Sequence, residues 1–433
     1  MILLFYFIFA AGIGNTVLRP EIENPLTLYR IVAPIGLLAV FALRPLFTVK
    51  WFFAFGGFAI YSVVLATLYG GGYSELGASL VHYLYLFILA LLMMYGKVSD
   101  PFFERRFISF VQSFFVFLVA NLVLEFFIGN WYPNLYADES DEACVRAFYW
   151  NQNDLAVVLC VQCWFVLAWD RFRGTPRNAV VAITVVVLFY NDSKAALLSL
   201  LFVSLPVYWM LKSSARTRIA GSVWAVVFGA IVTVGVIGII QLSSVDIQFA
   251  NDTYTFEDLL IRPITGILSL EATGEEWGSL NNRMDAAIFV IIEYVRSYGL
   301  GLGAGGSWLV LSMPQYVLGG AQSPHNALLQ FTVDFGYPVL LGYSWLIWWA
   351  LRQLLTPGRN ENDRLRIIAI LSFPLLGLSQ SGAIVTNYFF FAIVYFIALL
   401  DRQVPFSSRP VSAASFPVSP VVSPVVSLAG EHR

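Results

Sequence analysis

Long apolar blocks, separated by short polar or basic clusters, set the pattern of this chain. An α-helix needs about 20 apolar residues to cross the hydrocarbon of a bilayer. On that ruler the blocks predict spanning helices over 2–18, 28–43, 51–69, 77–96, 107–128, 149–169, 178–191, 194–211, 220–241, 325–351, 365–381 and 384–400. The expected fold is therefore all-α, a polytopic membrane protein with about 12 transmembrane helices and one large outward loop. The seventh block is short, and the eighth follows almost without a turn. That pair reads as either a tight hairpin or a broken helix. The plan is 1–241 for helices one to nine and 242–324 for the large loop, with its amphipathic helix and glycine-rich segment. Then come 325–400 for the last three helices and 401–433 for a disordered cytoplasmic tail rich in Ser, Pro and Val.

Composition agrees with the pattern. Charged residues make up 12% of the 433 positions and hydrophobic ones 58%, with a mean hydropathy of +0.74. A soluble chain carries about 25% charged residues and needs them to cover its surface. The N-terminal block lacks a positive flank and a small-residue cleavage site, so it is expected to stay as the first span. The net charge of -2 gives no reason to expect nucleic acid. Cys160 and Cys163 fall inside an apolar block and Cys144 outside it; none makes a metal-ligand spacing, and the pair inside the block reads as small hydrophobes.

Basic residues orient the helices. Arg44, Lys50, Lys97, Arg105, Arg106, Arg171, Arg173, Arg177, Lys212, Arg216, Arg218, Arg352, Arg359, Arg364 and Arg366 fall on one side, with the basic residues of the tail. Only Arg19, Arg30, Arg146, Lys194, Arg262, Arg283 and Arg296 fall on the other. Both termini are thus expected in the cytoplasm, with 129–148 and 242–324 facing outward.

That sorting singles out the outer cations, which topology does not need. Arg19, Arg30 and Arg262 read as interfacial anchors whose stems lie along lipid. Arg146, Lys194, Arg283 and Arg296 flank the polar connections and are candidates for binding an anion. The acidic run Asp138, Glu139, Asp141 and Glu142 reads as a solvated loop, and no metal is assigned to it. Of the three histidines, His432 lies in the tail and His82 reads as helix packing. His325 stands at the outer mouth of the tenth span, where an imidazole exchanges a proton near neutral pH. Glycines Gly299, Gly301, Gly303, Gly305 and Gly306 form YGLGLGAGG, which is no dinucleotide fingerprint because no strand precedes it. Such a segment lets backbone N–H groups approach a phosphate. Glycines, outer cations and one histidine together point to an anionic, lipid-linked substrate at the outer leaflet.

Two motifs carry a family resemblance. Asn282-Arg283 with Gly299-Leu300-Gly301-Leu302-Gly303, and Ser323-Pro324-His325-Asn326-Ala327-Leu328-Leu329-Gln330 followed by Gly336, resemble paired segments of the bacterial O-antigen ligase and polysaccharide polymerase family. Asn153-Asp154-Leu155-Ala156, following Arg146, resembles the family's Asn-containing helix start. Ser193-Lys194 stands where family ligases usually carry Ser-Arg, and Val339 where a second glycine often follows His-Asn. Lysine keeps the charge of arginine but not its planar fork.

The resemblance implies an inner-membrane glycosyltransferase acting on the periplasmic side without a cofactor or metal. It would move a glycan from an undecaprenyl-diphosphate carrier to a hydroxyl acceptor. Its partners would be that lipid-linked glycan, membrane lipids and other polysaccharide assembly proteins. Arg283 would bind the diphosphate with Lys194 and Arg146 in support, and His325 would position or deprotonate the acceptor. Asn326 would orient the imidazole or sugar, while Arg296, Asn153, Gly301 and Gly303 would complete the substrate contacts. The lysine and the missing glycine favour a polymerase of O-antigen, capsule or exopolysaccharide over a ligase to lipid A–core. A lipid-linked sugar transporter is the competing class; it predicts paired interrupted helices in internal repeats, and no repeat is visible.

Overall fold

The computed structural model describes residues 28–43, 45–69, 73–100, 102–129, 145–147, 149, 152–172, 174–191, 193–212, 247–249, 252–254, 278–313, 326–354, 356 and 360–379. The predicted spans 2–18, 220–241 and 384–400 lie outside them, as do the tail and about half of 242–324. The first described helices are α1 (Leu28–Leu43), α2 (Pro45–Tyr69), α3 (Tyr73–Ser99) and α4 (Phe103–Ile128). Next come α5 (Gln152–Ala168), α6 (Thr175–Tyr190) and α7 (Lys194–Lys212). In the large loop are a pair of three-residue antiparallel strands, Ile247–Phe249 and Asp252–Tyr254, then α8 (Gly278–Arg296) and α9 (Gly306–Ser312). The last are α10 (Ala327–Phe335), α11 (Tyr337–Leu354) and α12 (Glu361–Leu376), which ends in a 3-10 turn, Gly377–Ser379.

Among the described residues, four stretches are long and apolar enough to cross a bilayer: Thr48–Tyr69, Leu76–Lys97, Arg106–Ile128 and Lys194–Lys212. Phe53, Phe127 and Phe189 are each nearly 80% exposed (78%, 79% and 78%). Aromatic surface shown this freely suits lipid rather than water. The protein is an integral membrane protein.

At the centre lies α5. Every residue from Asp154 to Ala168 is buried, as a helix that is apolar on all sides requires. It packs against α6, α7 and α12. Phe107 of α4 meets Phe165 of α5 edge-on at 5.6 Å.

Two predicted elements differ from expectation. The predicted tenth span, 325–351, is not continuous: it breaks at Gly336, which has φ 71° and ψ -154°, into α10 and α11. The ambiguous pair 178–191 and 194–211 is a hairpin, since Arg177 near the start of α6 hydrogen-bonds Tyr208 near the end of α7. Within α7, Ser199–Ser204 winds as a π-helix. Its wide turn brings Ser204 Oγ within 2.8 Å of Ser372 Oγ on α12, and Trp164 Nε1 of α5 donates to Ser204 at 3.0 Å. Ser199 Oγ donates to the Ser372 carbonyl at 3.0 Å. Small hydroxyl residues let helix backbones approach and bond where lipid offers no partner.

Pro374 sits inside α12 and lacks the N–H that would bond the carbonyl of Ile370 one turn earlier. The Tyr343 hydroxyl of α11 donates to that carbonyl at 2.6 Å. At the far end of the bundle, Arg364 grips Asp170 with two bonds, at 3.2 and 2.7 Å, and Lys212 reaches the same carboxylate at 2.6 Å. This joins the ends of α5, α7 and α12 that the basic-residue pattern assigns to one side.

Tyr343→Phe should lower stability by about 1 kcal/mol, because it strands the Ile370 carbonyl. In a Pro374→Ala background the restored helix bond should remove most of that cost. Thermal unfolding of the four proteins of this cycle in detergent measures the difference.

Candidate functional site

The glycine segment follows α8 directly. Tyr298 turns the chain with φ 55°, and Gly299, Gly301, Gly303 and Gly305 all have positive φ. The alternating glycines lay the segment against the break in the predicted tenth span. Leu302 N donates to Val333 O and Gly303 N to Asp334 O, both at 2.9 Å, and Tyr337 N donates back to Gly299 O at 3.0 Å. A Cβ on Gly301 would fall 2.7 Å from Gly336 N, and one on Gly336 would fall 2.1 Å from Leu300 O. Two backbones touch here with no room for a side chain on either.

Asp334 locks the arrangement. It is fully buried, and its carboxylate accepts from Ser307 N at 2.9 Å and Gly305 N at 3.3 Å. One acidic residue in α10 thus holds the first turn of α9. An isolated carboxylate within an apolar block is a signal the sequence reading passed over.

On α8, Arg296 pairs with Glu293, a buried carboxylate that also accepts the Tyr69 hydroxyl of α2. The Arg296 side chain is 63% exposed, so its stem reaches outward from that pair. Burial first, and Tyr337 second, push the Tyr294 phenol up, which keeps it protonated. Arg283 lies in the first half of the same helix. At 1.5 Å per residue, its backbone is roughly 20 Å from that of Arg296 along the axis.

Asn326 caps α10: its Oδ1 accepts from Leu329 N at 3.0 Å. This is the standard use of Asn at an N-cap. The cap uses the amide oxygen and not the NH₂ group. His325, one position earlier, lies outside the described residues.

Arg146 is buried, and its short segment is tied down at both edges. The Arg146 N–H meets both oxygens of Glu125 on α4, at 3.0 and 2.9 Å, and Ala147 N, at φ 53°, donates to Oε2 at 2.5 Å. Val145 N donates to Asn191 Oδ1 at 3.0 Å, and Asn191 Nδ2 returns a bond to Val145 O at 2.7 Å. Asn191 belongs to the turn that leads into Lys194, which is exposed at the start of α7. Asn153 is half-buried on the first turn of α5, which packs on α6 and α7. Arg146, Asn153 and Lys194 therefore occupy one end of the bundle. Glu125 and Asn191, which fix that end, were not among the candidates read from sequence.

The two halves meet at the 3-10 turn after α12. This turn packs on α5 and on the Lys194 end of α7, and a Cβ on Gly377 would come 3.1 Å from Cβ of Ala327, next to Asn326. The start of α10 and the start of α7 are both seated against Gly377–Ser379. Gly301 and Gly303 are fully enclosed, and the Gly303 amide is engaged with Asp334.

Gly336→Ala should cost roughly 3 kcal/mol, combining a backbone clash with a positive φ, read as a fall in melting temperature. Glu125→Ala should free the Arg146 segment. Trypsin cleavage after Arg146 in detergent-solubilised protein should quicken by about 10-fold, because roughly 1.4 kcal/mol of hydrogen bonding is lost.

Residues 179–344 match the family model described as O-antigen ligase. The match takes in α6, α7 and the large loop with Lys194, Arg283, Arg296, the glycine segment, His325 and Asn326; Arg146 and Asn153 precede it. No curated protein matches the chain. Over this segment the chain is similar to the O-antigen ligase family.

Proposed function

We propose that the protein is a periplasmic-face glycosyltransferase that polymerises lipid-linked repeat units of an O-antigen, capsule or exopolysaccharide. The observation that supports this reading best is the seam between the glycine segment and Gly336. It makes α8, which bears Arg283, and α10, which begins just after His325, one backbone unit. The match to the O-antigen ligase model spans that unit.

In this reading the acceptor hydroxyl oxygen attacks the anomeric carbon, and the bond from that carbon to the carrier diphosphate breaks. The hydroxyl proton passes to His325, and the undecaprenyl diphosphate departs with the electron pair. Such general-base assistance is worth about 10²–10⁴-fold. Arg283 stabilises the charge growing on the diphosphate, and Lys194 and Arg146 supply supporting positive charge. Asn326 directs its free amide at the sugar or the imidazole. Both termini lie in the cytoplasm and twelve helices span the inner membrane.

His325→Ala and Arg283→Ala should each lower activity by at least about 10²-fold at normal protein level. The assay incubates purified protein with an undecaprenyl-diphosphate-linked repeat unit alone. A ladder of longer glycans with released undecaprenyl diphosphate is the expected result. Transfer that occurs once and only with added lipid A–core would make the protein a ligase instead. Full activity in either variant would remove that residue from the mechanism.

A further inference from the structure

At the end of α5–α7 remote from Arg146 and Lys194, the start of α6 and the end of α7 enclose a groove of about 560 Å³. Leu167, Val181 and Leu205 form its apolar wall, and Arg177, Tyr208 and Lys212 line its polar end. Arg177 hydrogen-bonds the Tyr208 hydroxyl and lies 5.3 Å from the centre of its ring, while Lys212 Nζ lies 5.7 Å from the same centre. The phenol thus gathers two cations at one spot.

Among the described residues the charges there do not balance. Asp170 is shared by Lys212 and Arg364, and Glu361 accepts the Asp170 N–H. Against these two carboxylates stand Lys212, Arg364 and Arg177, with exposed Arg171 on the same turn as Asp170. Among the described residues Arg177 meets no carboxylate. Trp209, 72% exposed at the rim, is the side chain that sits at a membrane–water boundary.

We propose that this groove binds an anionic phospholipid of the leaflet opposite the candidate catalytic site, with its phosphate between Arg177 and Lys212 and an acyl chain along Leu167, Val181 and Leu205. A cationic pocket between spanning helices suits a lipid head group on chemical grounds. The apolar wall selects a lipid over a free anion. This assignment is independent of the glycosyltransferase reading.

Native mass spectrometry of the full-length, detergent-released protein tests it with phosphatidylglycerol, phosphatidylcholine of the same acyl chains, and inorganic phosphate. Phosphatidylglycerol adducts should exceed phosphatidylcholine adducts. Arg177→Gln should reduce them by about fivefold, the effect of one basic charge near a membrane surface. Ala182→Trp, which fills the groove and keeps both cations, should reduce them at least as far, and Lys50→Gln should leave them unchanged. Equal adducts of the two lipids, or phosphatidylglycerol adducts that persist in both groove variants, overturn the proposal. Complete displacement by millimolar phosphate would show a free-anion site and overturn it too. The two-lipid comparison and the phosphate competition need only the unaltered protein, so they stand even where a variant fails to fold.

Discussion

The contact between the glycine segment and the Gly336 break is the constraint on which the candidate site depends. Backbone polar groups at membrane depth must find partners within the protein. A broken helix exposes carbonyls, and here those of Val333 and Asp334 are taken by the amides of Leu302 and Gly303. Close approach of this kind is open only to residues without a Cβ, which is why glycine falls on both sides of the seam, at Gly301 and Gly336. The buried carboxylate of Asp334 adds two more bonds from the loop and fixes its register. Position along α8 and position at the start of α10 are thereby coupled.

A second constraint works the same way with side chains in place of glycine. Glu125 of α4 and Asn191 after α6 supply acceptors and donors to the short Val145–Ala147 segment, which makes no regular structure of its own. A carboxylate accepting backbone N–H groups in a dry setting is costly to remove, because the donors are then stranded. These bonds fix the main chain at Arg146. The pattern recurs in the hydroxyls of Ser199, Ser204 and Ser372 and in Tyr343 covering the carbonyl that Pro374 frees. Polar residues inside this bundle serve mainly to complete backbone bonding.

The bundle has two chemically distinct ends. One carries Arg146, Asn153, Lys194 and the start of α10, seated around the turn Gly377–Ser379. The other carries the cluster of Asp170, Arg364, Lys212 and Arg177. Among the described residues, cations at the first end are spread over several elements, whereas Arg177, Lys212 and Arg364 at the second are linked through Tyr208 and Asp170.

The sequence by itself determined that the chain lives in lipid, where most of the described helices begin and end, and which charges stand apart. These are one-dimensional properties: block length, charge position and motif spacing survive without knowledge of neighbours. Glycine spacing together with the His-Asn segment was also enough to indicate the family whose model matches residues 179–344. Only tertiary structure decided that the block 325–351 breaks, because an apolar run reads alike whether it is one helix or two, and the break is stabilised by amides some thirty residues earlier in the chain. Likewise Glu125, Asn191 and Asp334 are single polar residues whose worth depends on which N–H groups the fold delivers to them. Such partners are set by three-dimensional proximity, and no local pattern records them.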